Sequence, residues 1–125
     1  MNRWTLLKHE TINNKILDFH YDFLLENGED CKTWKLLIFP ELDGASVDIF
    51  EHSNHRLIWL TVENKLLTNN RGYVQRVDNG TYKRIGVDID RNNFSVILNG
   101  EFIRGLFKKN VNSCKLISLN QWINI

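Results

Sequence analysis

Phe19-His20-Tyr21-Asp22-Phe23-Leu24-Leu25-Glu26 decides how this chain is read. Side chains on a β-strand alternate between two faces. On a strand, Phe19, Tyr21, Phe23 and Leu25 share one face, wholly apolar or aromatic, and that face is expected in the core. His20, Asp22, Leu24 and Glu26 share the other. It begins with an imidazole and a carboxylate one pleat apart, near enough to grip one ion. On a helix, residues two apart diverge, so the pair makes chemical sense only on a strand.

The neighbours of this stretch extend the same pattern. Residues 4–9 form a short strand candidate, and the polar 10–15 is expected to be a loop. Asn27-Gly28-Glu29-Asp30 signals a turn, from which 33–39 should return antiparallel until Pro40, the only proline, ends it. Residues 41–51 have no firm period and are expected to form a loop with at most one helical turn. Beyond His52-Ser53-Asn54-His55, the pattern predicts strands over 56–62 and 72–77. Asp78-Asn79-Gly80-Thr81 is a hairpin signal leading into 82–85, and Asn99-Gly100 is a second, joining 94–98 to 101–107. The tail adds 115–119 and Trp122. About eight short strands with little helix define a mainly β fold, and a small antiparallel barrel would remove its exposed edges. Core packing is the default role of Trp34, Trp59, Tyr82 and Trp122.

Composition sets the outer bounds. The 125 residues suit a single domain, 1–125, with 42% hydrophobic and 25% charged residues, an ordinary globular balance. No apolar run approaches a membrane span, so no membrane partner is expected. Met1-Asn2-Arg3-Trp4 leads straight into patterned sequence, and two cysteines are too few for a disulfide framework; a cytoplasmic protein with reduced Cys31 and Cys114 is expected. The net charge of +1 hides an asymmetry: residues 1–63 carry 6 Lys+Arg against 11 Asp+Glu (−5), and residues 64–125 carry 10 against 4 (+6). A basic half can be a footprint for a polyanion, unless the fold mixes the halves in space.

The chemical candidates are few. His20 and Asp22 offer nitrogen and oxygen donors suited to Mn²⁺, Fe²⁺ or Zn²⁺, with His9 as a third ligand. The plainer alternative is a solvated polar face. His52 and His55 have HxxH spacing, but their surroundings resemble a loop, so no shared metal is expected; His55 is the better single anion-binding group. No phosphate loop, nucleophile elbow or CxxC pair is present.

Several blocks together carry a resemblance: 4–9, then His20 to Gly28, Thr33-Trp34-Lys35-Leu36, His55-Arg56-Leu57, Arg71-Gly72-Tyr73-Val74, Val77 to Tyr82 and Leu98 to Gly105. Over about residues 3–107 the chain resembles the phosphoesterase domain of bacterial DNA ligase D, and more closely the small stand-alone DNA polymerase–ligase-like phosphoesterases. That resemblance implies a β-barrel hydrolase of DNA repair that processes 3′ ends, removing a terminal 3′-phosphate or 3′-ribonucleoside. It implies a divalent metal, chiefly manganese with zinc as an alternative, held by His9, His20 and Asp22, and a phosphate contact at His55. On this reading His55, His20 and Asp22 carry catalysis, while His55, Arg71, Arg76 and Arg104 bind substrate. Nucleic-acid 3′ ends are the implied partners, with a DNA ligase or polymerase acting alongside. Three departures stand out: Leu24 replaces an arginine of the ligase-attached domains, Trp59 a tyrosine, and Glu41 a lysine. A non-catalytic barrel that binds metal and phosphate ends, or a repair protein, is the alternative in another class.

Overall fold

In a computed structural model, residues 2–13, 15–86 and 90–120 are described, with the backbone alone at Asn13. Ten strands occur among them: β1 (Arg3–Asn13), β2 (Ile16–Asn27), β3 (Asp30–Leu36), β4 (Val47–Asp48), β5 (Phe50–Arg56), β6 (Asn64–Leu66), β7 (Tyr73–Ile85), β8 (Asn93–Gly100), β9 (Arg104–Asn110) and β10 (Ser113–Ile117). One 3-10 turn, Leu57–Thr61, follows β5. All the strand pairs are antiparallel, in the order β4-β10-β9-β8-β7-β1-β2-β3-β5, with β6 on the flank of β7. No helix among the described residues is long and apolar enough to cross a membrane.

The expected barrel is approximate: there are ten strands, and the ladder is open. Its two end strands, β4 and β5, are nevertheless consecutive in the chain and separated only by the buried Ile49. The sheet therefore curls until its ends meet through covalent chain rather than through hydrogen bonds. Trp4, Leu6, Phe23, Trp34, Val96 and Phe107, from five different strands, fill the interior. Phe23 and Phe107 are its centre, with ring centroids 4.6 Å apart.

Several local expectations change. Residues 10–13 are strand instead of loop; β1 and β2 stay paired to Asn13↔Ile16, extending the hairpin beyond its apolar core. The third strand runs from Asp30 to Leu36, so Leu37 and Ile38 are exposed past its end. The expected loop 41–51 contains β4 and the start of β5. Residues 56–62 are not a strand: Arg56 pairs with Asp30, the first residue of β3, and beyond it no backbone partner remains. The chain coils there and tucks Leu60 beneath the sheet.

The Asp78–Thr81 hairpin is also absent, because β7 passes straight through those residues. Gly80 is instead a close-approach residue: a Cβ there would lie 2.0 Å from the Asn99 carbonyl oxygen. The second hairpin turns at 101–103, after Gly100. Its loop is tied down by Asp78, whose carboxylate accepts N–H bonds from Asn79, Glu101, Phe102 and Ile103 at 2.7–3.0 Å.

The two faces of β2 are less simple than alternation suggests. Phe23 and Leu25 are buried inside as expected, but Phe19 is exposed on the extended hairpin. On the opposite face Leu24 is fully buried, with Leu7, Cys31, Leu60 and Val74, in a second apolar cluster outside the main interior. Trp34 and Tyr82 are core residues as expected, whereas Trp59 only flanks the second cluster. Trp122 lies outside the described residues.

Candidate metal centre

The register of the first hairpin builds the site. His9 pairs with His20 and Leu7 with Asp22, so both imidazoles and the carboxylate emerge from one face of two adjacent strands. One donor atom from each of His9, His20 and Asp22 lies within 4.8 Å of the others. The His9 and His20 rings meet edge to face, centroids 4.9 Å apart, and His20 Nε2 is 3.3 Å from Asp22 Oδ1.

His9 is oriented from behind. Its Nε2 lies 2.7 Å from the carbonyl oxygen of Arg71. A carbonyl only accepts, so Nε2 carries the proton and the Nδ1 lone pair of the neutral ring is left for an ion. A ligating histidine commonly donates its other N–H to a carbonyl in this way. Gly72 allows the contact: at φ +102° its backbone passes so close to β1 that a Cβ would sit 2.0 Å from the Glu10 carbonyl oxygen.

The donors fit a divalent cation. Asp22 is 6% exposed, and its Oδ1 is buried without a hydrogen-bond partner, despite its proximity to His20. A buried carboxylate oxygen left unpaired is expensive, and a cation held by the two imidazoles would compensate it. The Leu7, Leu24, Cys31, Leu60 and Val74 cluster forms a dry floor beneath, where charge interactions are stronger than in water.

A pocket of about 470 Å³ opens over this floor, and all four histidines of the chain line it. His52 and His55 form the facing wall on β5, followed by Arg56 and by Trp59 from the 3-10 turn. Trp59 sets its ring edge-on to His55 at 5.9 Å. Lys65 and Arg71 come from the second half of the chain, and Asp22 is the one carboxylate in the lining. Arg71 lines the pocket, and its guanidinium is bonded to the Thr68 carbonyl and hydroxyl, both at 3.1 Å.

Other sequence candidates are placed elsewhere. Arg76 points to Glu63 at 3.4 Å and is not in the pocket lining. Arg104 donates to the Gly100 carbonyl and borders a different depression beside Thr81 and Lys83. Glu41 is exposed and takes no part in the pocket. Cys31 and Cys114 are free, buried thiols outside the pocket lining, and burial pushes their pKa up to about 11 and about 12.

His52, Arg56 and Lys65 were missed by sequence reasoning. The signal for His52 was present in the HxxH spacing, but the strand that displays it contains a bulge. Cys31 pairs with His55 and Thr33 with His52, so two steps on β3 face three on β5. The extra residue brings two histidines that ordinary alternation would separate onto one face. No protein-family model matches the chain, and no curated protein matches it.

Proposed function

We propose that this protein is a divalent-metal-dependent phosphoesterase that restores 3′-hydroxyl ends on nucleic acids in the cytoplasm. The carrying observation is the convergence of all four histidines and one buried carboxylate, whose Oδ1 has no hydrogen-bond partner, in a pocket otherwise rich in cations. The resemblance of the His20 to Gly28 and Asp78 to Tyr82 blocks to 3′-phosphoesterases supports the substrate class.

His9, His20 and Asp22 would hold the ion, for which manganese is our proposal. Such an ion supplies Lewis acidity toward a phosphoryl oxygen and acidifies bound water. The chain's own groups do the rest. His55 is anchored through Nδ1 to the Ser53 carbonyl, 3.0 Å away, so its Nε2 is the atom available to substrate. As an imidazolium it stabilises charge on the phosphoryl oxygens and gives its proton to the departing 3′ oxygen. Water adds to phosphorus, the bond to the 3′ oxygen breaks, and the products are inorganic phosphate and a 3′-hydroxyl. Arg56 and Lys65 supply positive potential around the entering phosphate. A ligase or polymerase would consume the repaired end.

The test is conversion of a 3′-phosphate primer–template, and of one ending in a ribonucleotide, to a 3′-hydroxyl with added Mn²⁺. His20→Ala and Asp22→Ala should both abolish it while retaining the fold. One observation favours a second reading, a binding module without turnover. The position of the family's phosphate-clamping arginine is Leu24, buried in the floor. Metal-dependent stabilisation without any conversion would select that reading.

A further inference from the structure

We propose that His52 is a second phosphate-binding residue, and that the β5 bulge presents it with His55 as a paired-imidazole clamp for a terminal phosphomonoester. The proposal rests on the reading of this pocket as a phosphoryl site and names the part that would select a chain end. The His52 and His55 rings stand 5.5 Å apart, and both Nδ1 atoms face one carbonyl, that of Ser53, at 3.4 and 3.0 Å. One bulge residue therefore sets both rings. As imidazolium groups they donate from Nδ1 to that carbonyl and from Nε2 to an oxygen of the ligand.

A bulge breaks the ladder and needs outside support. Arg91, two residues before the start of β8, provides it. Its guanidinium bonds to the Asn54 side-chain oxygen at 2.7 Å, the His52 carbonyl at 2.8 Å and the Thr33 carbonyl at 3.1 Å, and it lies over the Trp34 ring. The same group is paired with Glu51. The carboxylate beside His52 is thereby neutralised and does not oppose an anion. Arg91 is a positioning residue on this account.

The pair discriminates by charge and by the number of oxygens. A terminal phosphomonoester carries nearly two negative charges and three strong acceptor oxygens near pH 7. An internal diester carries one charge and two free oxygens. Two imidazolium donors, with Arg56 beside them, therefore suit an end better than the interior of a strand.

The experiment uses the full chain with EDTA present, so binding is read without turnover or metal. The probes are inorganic phosphate, a 3′-phosphorylated oligonucleotide and the same oligonucleotide ending in a 3′-hydroxyl. The 3′-phosphate should bind more tightly than the 3′-hydroxyl. His52→Asn and His55→Asn should each weaken it about tenfold, the effect of losing one charge-assisted hydrogen bond. His20→Ala should leave this binding intact while abolishing Mn²⁺ binding, the latter measured separately without EDTA, and His52→Asn should do the reverse. In the unaltered protein, inorganic phosphate should shift the ring signals of His52 and His55. Shifts confined to His9 and His20, or unchanged affinity in His52→Asn, would overturn the clamp. Loss of inorganic phosphate binding in His52→Asn, without any preference for the oligonucleotide, would support the clamp and remove nucleic-acid ends as its ligand.

Discussion

Leu24 lies two residues beyond Asp22 on β2, and its side chain has no solvent exposure. It packs with Leu7, Leu60 and Val74 under the pocket. An arginine there would have to leave its guanidinium in an apolar cluster or force the floor apart. Leu24→Arg should therefore lower unfolding stability by about 3–5 kcal/mol, the scale of an unpaired buried charge, instead of adding a phosphate contact. Chemical denaturation of the variant measures this; a stable variant with raised phosphate affinity would contradict it. Glu26, two residues further along β2, has the opposite character. Arg3 donates to it from the backbone N–H and from the guanidinium at 2.8–3.0 Å, and these bonds hold its carboxyl below the usual glutamate value. A depressed folded value stabilises above the unfolded pKa, and that stability is lost as pH falls through the folded one. Wild type should melt above Glu26→Gln at pH 7, and the gap should close as the solution is acidified below the ordinary glutamate range.

At the scale of elements, β7 and the 101–103 turn depend on one carboxylate. Asp78 is 3% exposed and takes four backbone N–H groups, three of them from the turn between β8 and β9. Asp78→Ala strands those donors and should destabilise the fold by about 2–4 kcal/mol, with the change seen first as faster amide exchange at Glu101, Phe102 and Ile103. The Asp-x-Gly-Thr-Tyr block, one of those that carry the resemblance, is thus entered by a structural clasp in this chain. It also shows where sequence reading ends. Asn-Gly within alternating residues signals a turn because glycine permits positive φ, but Gly80 is required by the nearness of β8, a contact invisible in one strand's sequence. The 56–62 segment was misread for a related reason. Its residues favour a strand, yet β3 begins at Asp30 and supplies no partner beyond Arg56. Period-two alternation was enough to put His20 and Asp22 on one face of β2, because that relation is local. The two-against-three count that reunites His52 with His55 needs a neighbouring strand.

At the scale of the whole molecule, the candidate ligand set is bound to the fold's continuity. The β1–β2 hairpin is in the interior of the strand order, between β7 and β3, and its other face carries Trp4, Leu6 and Phe23 of the main core. The facing wall of the pocket belongs to β5, an end strand whose link to β4 through Ile49 brings the curled sheet together. An ion held by His9, His20 and Asp22 is bound only when this hairpin is formed, so its binding energy adds to global stability. At a free concentration one hundred times Kd the gain is about 2.7 kcal/mol. For a chain of this length that corresponds to a rise in melting temperature of roughly 10 °C. Mn²⁺ should produce this shift in wild type and EDTA should reverse it. His20→Ala and Asp22→Ala should both lose it, and His52→Asn should keep it, because β5 contributes no ligand to the ion. A shift that persists in Asp22→Ala would place the ion elsewhere and leave the orphaned carboxylate oxygen without its cation.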